Sequence, residues 1–239
     1  MAGHGKSDAP IDRFDMTRYS HAVHRLLDKL GVDEAIVGGT SLGANIGLEF
    51  AAHHADSLRG LILDMPALER GIVGGSAVFT PILLGAEYAG PVVGVAARLM
   101  RMVPSKPFPY SVNMALDLMK RDPRTTSDVL KGIYFGRLAP PREERMEIAA
   151  PALVIGHKFD PIHPFEDATE LAGDIQNSKF VEARSVFELR LMPKRLTKEI
   201  VAFVEDCWKP QAVDPVSAKP TPLRRGAAAR AAAARRRVA

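Results

Sequence analysis

"AIVGGTSLGANIGLEF", residues Ala35–Phe50, is the stretch on which the fold turns. It opens as a short apolar run suited to a buried strand, Ala35–Gly39. From Leu42 onward the apolar residues recur at helical spacing through Leu48 and Ala52. Between the two lies Gly39-Thr40-Ser41-Leu42-Gly43, a G-x-S-x-G pattern with a lone serine at the bend. A strand, a tight turn and a helix in that order lift the serine hydroxyl into the open at the C-terminal edge of a sheet. Gly39 and Gly43 are expected to relieve clashes in such a strained turn. The backbone N–H of Leu42, at the helix start, would face a developing oxyanion.

Outward from this stretch, strands and helices alternate. Asp15-Met16-Thr17 can cap a helix that places Tyr19, Val23, Leu26, Leu27 and Leu30 on one apolar stripe, with Gly31 as its stop. Leu58–Pro66, Pro151–His157 and Lys179–Ser185 read as further strands. From Pro193 a closing helix buries Leu196, Ile200, Phe203, Val204 and Cys207. The predicted class is α/β, with about four mostly parallel strands flanked by helices. Residues 67–150 fit no strand–helix unit. They carry one charge, Glu87, between positions 71 and 97 and read as a helical lid insertion over a pocket. The glycines and prolines between Gly71 and Gly94 are expected to break any membrane-spanning helix there.

The 239 residues are 46% hydrophobic and 25% charged, an ordinary balance for a soluble globular domain. The net charge of +4 misleads, because Lys209, Lys219 and six arginines against Asp214 give residues 209–239 a net +7. Residues 1–208, the expected folded domain, are therefore mildly acidic. The Pro- and Ala/Arg-rich tail has too few large apolar groups to order itself. It lacks aromatics to stack on bases, which disfavours nucleic acid, and a solvated tail is preferred over an anionic-membrane anchor. Cys207 is the only cysteine, and "MAGHGKSDAP" lacks the apolar core of a secretory signal, so a reducing, cytoplasmic setting is expected. No P-loop, dinucleotide fingerprint or zinc-type cysteine set is present, and no cofactor or metal is expected. His21, His24 and Asp28 share a helix face opposite the apolar stripe, where solvated polar residues are the expectation.

Three segments carry a family resemblance: "GHGKSD" at 3–8, "GGTSLGANIGLEFAAHHAD" at 38–56, and "ALVIGHKFDPIHP" at 152–164. From Gly3 to about Trp208 the chain resembles the α/β-hydrolase fold superfamily. The resemblance implies Ser41 as nucleophile and Asp160 as the acid of a triad. It also implies hydrolysis of esters, lactones, amides, epoxides or carbon–halogen bonds, usually without cofactor.

Two departures qualify it. The family's histidine follows the last strand, yet no histidine follows His163, and "ARSVFELRLMP" places Glu188 about where it should stand. A carboxylate is a poor base for a serine at neutral pH, so the usual triad is expected to be incomplete. His157 and His163 flank Asp160, and His163 is the candidate replacement base, although this loop ordinarily delivers only the acid. The second departure is at the front, where the family places further strands and the loop donating a second oxyanion N–H. Their lack would leave Ala35–Gly39 as an exposed edge open to self-association. The resulting expectation is a hydrolase of ester- or lactone-type bonds in a small apolar substrate, its activity weak or lost. The alternatives are a non-catalytic hydrolase-like binding protein and a fragment of a longer enzyme.

Overall fold

The computed structural model describes residues 15–102 and 122–209, with Ser7, Asp117 and Lys120. The "GHGKSD" segment, apart from Ser7, and the tail beyond Lys209 lie outside the described residues.

Four strands form one sheet: β1 (Ala35–Thr40), β2 (Leu58–Asp64), β3 (Ala152–His157) and β4 (Ser178–Ala183). They run parallel in the order β1-β2-β3-β4. Every connection must therefore cross over, and helices do so. In chain order the described helices are α1 (Met16–Leu30), before the sheet; α2 (Leu42–His53), α3 (Glu69–Tyr88), α4 (Gly90–Met100), α5 (Pro123–Phe135), α6 (Arg142–Met146) and α7 (Phe165–Asp174), between strands; and α8 (Glu188–Leu191) and α9 (Lys194–Trp208), after the last strand.

Alternation along the strands divides the core. Leu61, Leu63 and Val154 face Leu48 and Phe50 of α2 and Leu171 of α7. Leu153 and Ile155 face the other way, onto Leu196, Phe203 and Cys207 of α9. All six residues of β3 are buried, as a strand covered on both faces requires. The register sets Thr40 beside Asp64 and Asp64 beside Ile155, so the segments after β1, β2 and β3 gather at one edge of the sheet.

The first helix begins where its cap predicts: Asp15 Oδ1 accepts from the N–H of Thr17 at 2.8 Å, and Gly31 ends it at φ 69°. Its inward face differs from the expected stripe. Met16 and Tyr19 are buried and Val23 and Leu27 pack inward, whereas Leu26 and Leu30 are 54% and 66% exposed.

The lid insertion also differs from expectation. Glycines and Pro81 do not interrupt α3, which runs unbroken from Glu69 to Tyr88. Several of these glycines are contact points. A Cβ on Gly74 would lie 3.1 Å from the Ile162 carbonyl oxygen, and one on Gly71 would lie 2.7 Å from Ala67 Cβ. The helix therefore trades propensity for close approach to the loop after β3. Its length and apolar character would suffice to cross a membrane, although here it packs beside α5. Asp167 of α7 caps it from outside, its Oδ2 accepting from Leu68 N–H at 2.7 Å and Gly71 N–H at 2.8 Å.

The start of the insertion and its later part at Leu138 are both held by Asn45 of α2, which is fully buried. Its Nδ2 donates to the carbonyls of Ala67 (2.6 Å) and Leu138 (2.9 Å), and its Oδ1 accepts from Ala67 N–H (3.1 Å). Asn45→Ala strands three backbone groups and should cost about 3 kcal/mol of stability. A lowered urea midpoint at unchanged m-value would show this, and an unchanged midpoint would refute it.

Candidate active site

Ser41 sits at φ 56° and ψ −116°, a left-handed conformation that a side chain rarely adopts. Its N–H donates to the Asp64 carbonyl at 2.8 Å, which ties the bend to the neighbouring strand. The two elbow glycines have unequal roles. A Cβ on Gly39 would lie 2.7 Å from the Gly43 backbone, so Gly39 is enforced by contact. A Cβ on Gly43 meets nothing within 4 Å. Leu42 opens α2 immediately after the serine, so its N–H lies at the positive end of that helix.

The loop after β3 supplies two partners. His163 Nε2 lies 2.8 Å from Ser41 Oγ, and His163 Nδ1 lies 2.9 Å from Asp160 Oδ2. Asp160 Oδ1 accepts from the N–H groups of Ile162 (2.8 Å) and His163 (3.0 Å). One carboxylate thus closes the turn with one oxygen and orients the imidazole with the other. Burial raises the Asp160 pKa, but His163 and the two backbone donors outweigh it, and the net shift is below the usual carboxylate value. An ionised Asp160 requires the proton on Nδ1, which leaves the Nε2 lone pair for the serine hydroxyl. The side chains of His163 and Asp160 are 13% and 6% exposed.

No late histidine is present, and the described residues place the candidate base His163 beside the serine instead. The acid and the imidazole stand three residues apart on one turn, and that turn reaches the serine. Glu188, where the late histidine would stand, is no substitute base. It is buried, its Oε1 accepts from Arg195 Nε at 2.7 Å, and Oε2 accepts from Arg195 Nη2 at 2.7 Å. Arg195 chiefly, with help from the Arg184 N–H, holds its pKa down to about 2. His157 turns away from Ser41, its Nε2 lying 2.7 Å from Asp64 Oδ1.

A small cavity of about 60 Å³ opens beside the serine. Ile72 and Phe79 of α3, Ile133 and Tyr134 of α5, Leu138 and Ile162 line it with Ser41 and His163. Side chains of α3 and α5 therefore form its apolar wall.

The remaining histidines correct a second expectation. His21 and His24 are half-buried against the end of α2. His21 Nδ1 lies 2.7 Å from His54 Nε2, and the His24 ring stacks on His54 at 4.1 Å. No group of three or more His, Cys, Asp or Glu among the described residues is arranged to hold a metal ion. Burial and the neighbouring imidazoles push His54 down from 6.5 to about 4. Between those values the unfolded chain takes up a proton that the folded one refuses, so stability falls as pH drops through that window. His54→Gln should flatten this loss in urea titrations at neutral and mildly acid pH. An equal loss in both proteins would remove His54 as its source.

The family model described as "alpha/beta hydrolase fold" matches residues 1–131. The chain is 23% identical over 214 residues to AB hydrolase superfamily protein YisY of Bacillus subtilis, covering 76% of this chain and 69% of that protein. It is 24% identical over 204 residues to 2-hydroxymuconate semialdehyde hydrolase of Pseudomonas putida, covering 75% and 65%. The chain thus spans about two thirds of the length of these curated relatives. Among solved structures, an enol-lactonase from Burkholderia xenovorans superposes with TM-score 0.65 at 24% identity, covering 85% of this chain and 78% of that one. An esterase from Thermogutta terrifontis gives 0.64 at 19% identity, covering 87% and 78%. These structural likenesses speak for the fold, and with the family match over the elbow they lead to one conclusion: the chain belongs to the alpha/beta hydrolase fold family.

Proposed function

We propose that this protein is a serine hydrolase of ester- or lactone-type bonds in a small, apolar substrate. The observation that carries this reading is the 2.8 Å approach of His163 Nε2 to Ser41 Oγ, with Asp160 behind the imidazole. In the reaction, His163 takes the hydroxyl proton as Ser41 Oγ bonds to the carbonyl carbon. The carbonyl oxygen becomes an oxyanion beside the Leu42 N–H. As it collapses, the bond to the alkoxide breaks, and His163 returns its proton to that leaving oxygen. A water, deprotonated by His163, then attacks the acyl-Ser41 ester; collapse frees the acid and reprotonates the serine. No cofactor enters any step.

The small apolar cavity walled by α3 and α5 supports an acyl group of few carbons. Enol-lactonase and esterase neighbours favour oxygen esters among the family's chemistries. The test is turnover of p-nitrophenyl esters of increasing acyl length by the parent and by Ser41→Ala. Acetate and butyrate should turn over well above Ser41→Ala, with kcat/KM falling for octanoate and beyond. Turnover equal to that of Ser41→Ala at every length would favour a binding protein built on a hydrolase fold.

A further inference from the structure

Beneath the elbow lies a second histidine–carboxylate pair that the proposed chemistry does not use. Asp64, 3% exposed, ends β2, and His157, 2% exposed, ends β3. Asp64 Oδ1 lies 2.7 Å from His157 Nε2, while Asp64 Oδ2 accepts from the Thr40 hydroxyl at 2.8 Å. His157 Nδ1 lies 3.0 Å from the carbonyl oxygen of Ser185, in the segment after β4. That carbonyl can only accept, so Nδ1 carries a proton. A further proton must lie between Nε2 and the Asp64 carboxylate, because two bare lone pairs would repel at 2.7 Å. Each polar atom of the pair is thereby satisfied, as burial demands.

The placement of these contacts indicates what the pair does. Ser41 holds a strained positive φ, a conformation that persists only where its surroundings over-determine it. Asp64 grips both sides of the peptide that precedes this strain. Its carboxylate holds the Thr40 side chain, and its carbonyl holds the Ser41 N–H. The next residue, Met65, is itself at φ 52° with its N–H bonded to Ile155 O at 3.1 Å, so the grip is fixed from the other side. His157 anchors the carboxylate and links it to the segment after β4. Burial lowers the His157 pKa, yet Asp64 and the Ser185 carbonyl outweigh that and raise it overall, which favours the doubly protonated ring.

We infer that Thr40, Asp64 and His157 are positioning residues that hold Ser41 Oγ in line with His163. The inference rests on the serine-hydrolase reading, and none of the three touches the reacting atoms. Thr40→Val removes one donor while keeping the shape of the strand residue, and Thr40→Ser restores the hydroxyl. Asp64→Asn tests the anchor itself. Thr40→Val should lower kcat for p-nitrophenyl butyrate about tenfold with KM nearly unchanged, and Thr40→Ser should recover most of it.

Nitrogen–proton NMR of the histidine rings supplies a readout independent of turnover. His157 should show both ring nitrogens protonated at neutral pH in the parent. The His163 ring signals should move in Thr40→Val and Asp64→Asn, although the Thr40 and Asp64 side chains bond each other and His157 rather than His163, and return in Thr40→Ser. Unmoved His163 signals in folded Thr40→Val would overturn the inference, even if Asp64→Asn failed to fold. A parent that never reacts with a fluorophosphonate would defeat the hydrolase reading instead, and the His163 signals would still decide the positioning role.

Discussion

His163→Ala is expected to lower kcat for a short-chain p-nitrophenyl ester by about 10⁴- to 10⁶-fold, with KM little changed. The expected size follows from the geometry. Among the described residues His163 is the one imidazole hydrogen-bonded to Ser41 Oγ, and Glu188 is tied to Arg195 with its pKa pushed down to about 2. Without a base, the serine must attack as a neutral hydroxyl, and the leaving alkoxide has no proton donor. The loss should appear in kcat because the imidazole acts in the transition state more than in substrate binding. His24→Ala, in the cluster on α1, is the matched control and should retain parental activity. A His163→Ala enzyme within tenfold of the parent would remove this residue from the mechanism.

Asp160→Asn is expected to lower kcat by about 10⁴-fold while leaving the protein folded. Asparagine keeps the side-chain oxygen that accepts from the Ile162 and His163 N–H groups, so the turn survives. Its amide nitrogen, placed where Oδ2 lies, would donate to His163 Nδ1. The ring proton would then move to Nε2, and the nitrogen facing Ser41 could no longer accept. The change reverses a tautomer without removing bulk, so circular dichroism and the urea midpoint should stay close to parental values. Parental kcat in a folded Asp160→Asn protein would show that the carboxylate only shapes the turn.

Much of the fold was legible because its signals are local. β1 to β3 are short, largely apolar runs and β4 alternates, and Asp15 and Gly31 mark the ends of α1 within a few residues of chain. The elbow was legible for the same reason, since its strand, bend and helix are contiguous. What escaped depends on neighbours distant in sequence. Gly71 and Gly74 read as helix breakers until Ala67 and the Ile162 carbonyl are seen against them. The inward role of His21 and His24 depends on His54, more than two turns of chain beyond the strand that follows α1.

The candidate base is the instructive case. Asp160 and His163 both stand out in the sequence, with His163 as the candidate replacement base, but spacing alone does not show that the loop delivering the acid also reaches the serine. The missing information was the turn itself, in which Asp160 Oδ1 gathers two backbone N–H groups and turns His163 toward β1. A signal was present in Asp160-Pro161-Ile162-His163-Pro164, where prolines stiffen a carboxylate and an imidazole at close spacing. The Asp64–His157 pair was invisible for a different reason. Its members lie on separate strands, and only the sheet register brings them together.

The most direct test of the mechanism is covalent labelling by a fluorophosphonate, with mass spectrometry of the peptide that contains Ser41. A nucleophile activated by His163 should form the adduct on Ser41 in the parent protein, none in Ser41→Ala, and far less at equal time in His163→Ala. A parent protein that stays unlabelled at Ser41, or labels equally well without His163, contradicts the serine–histidine mechanism.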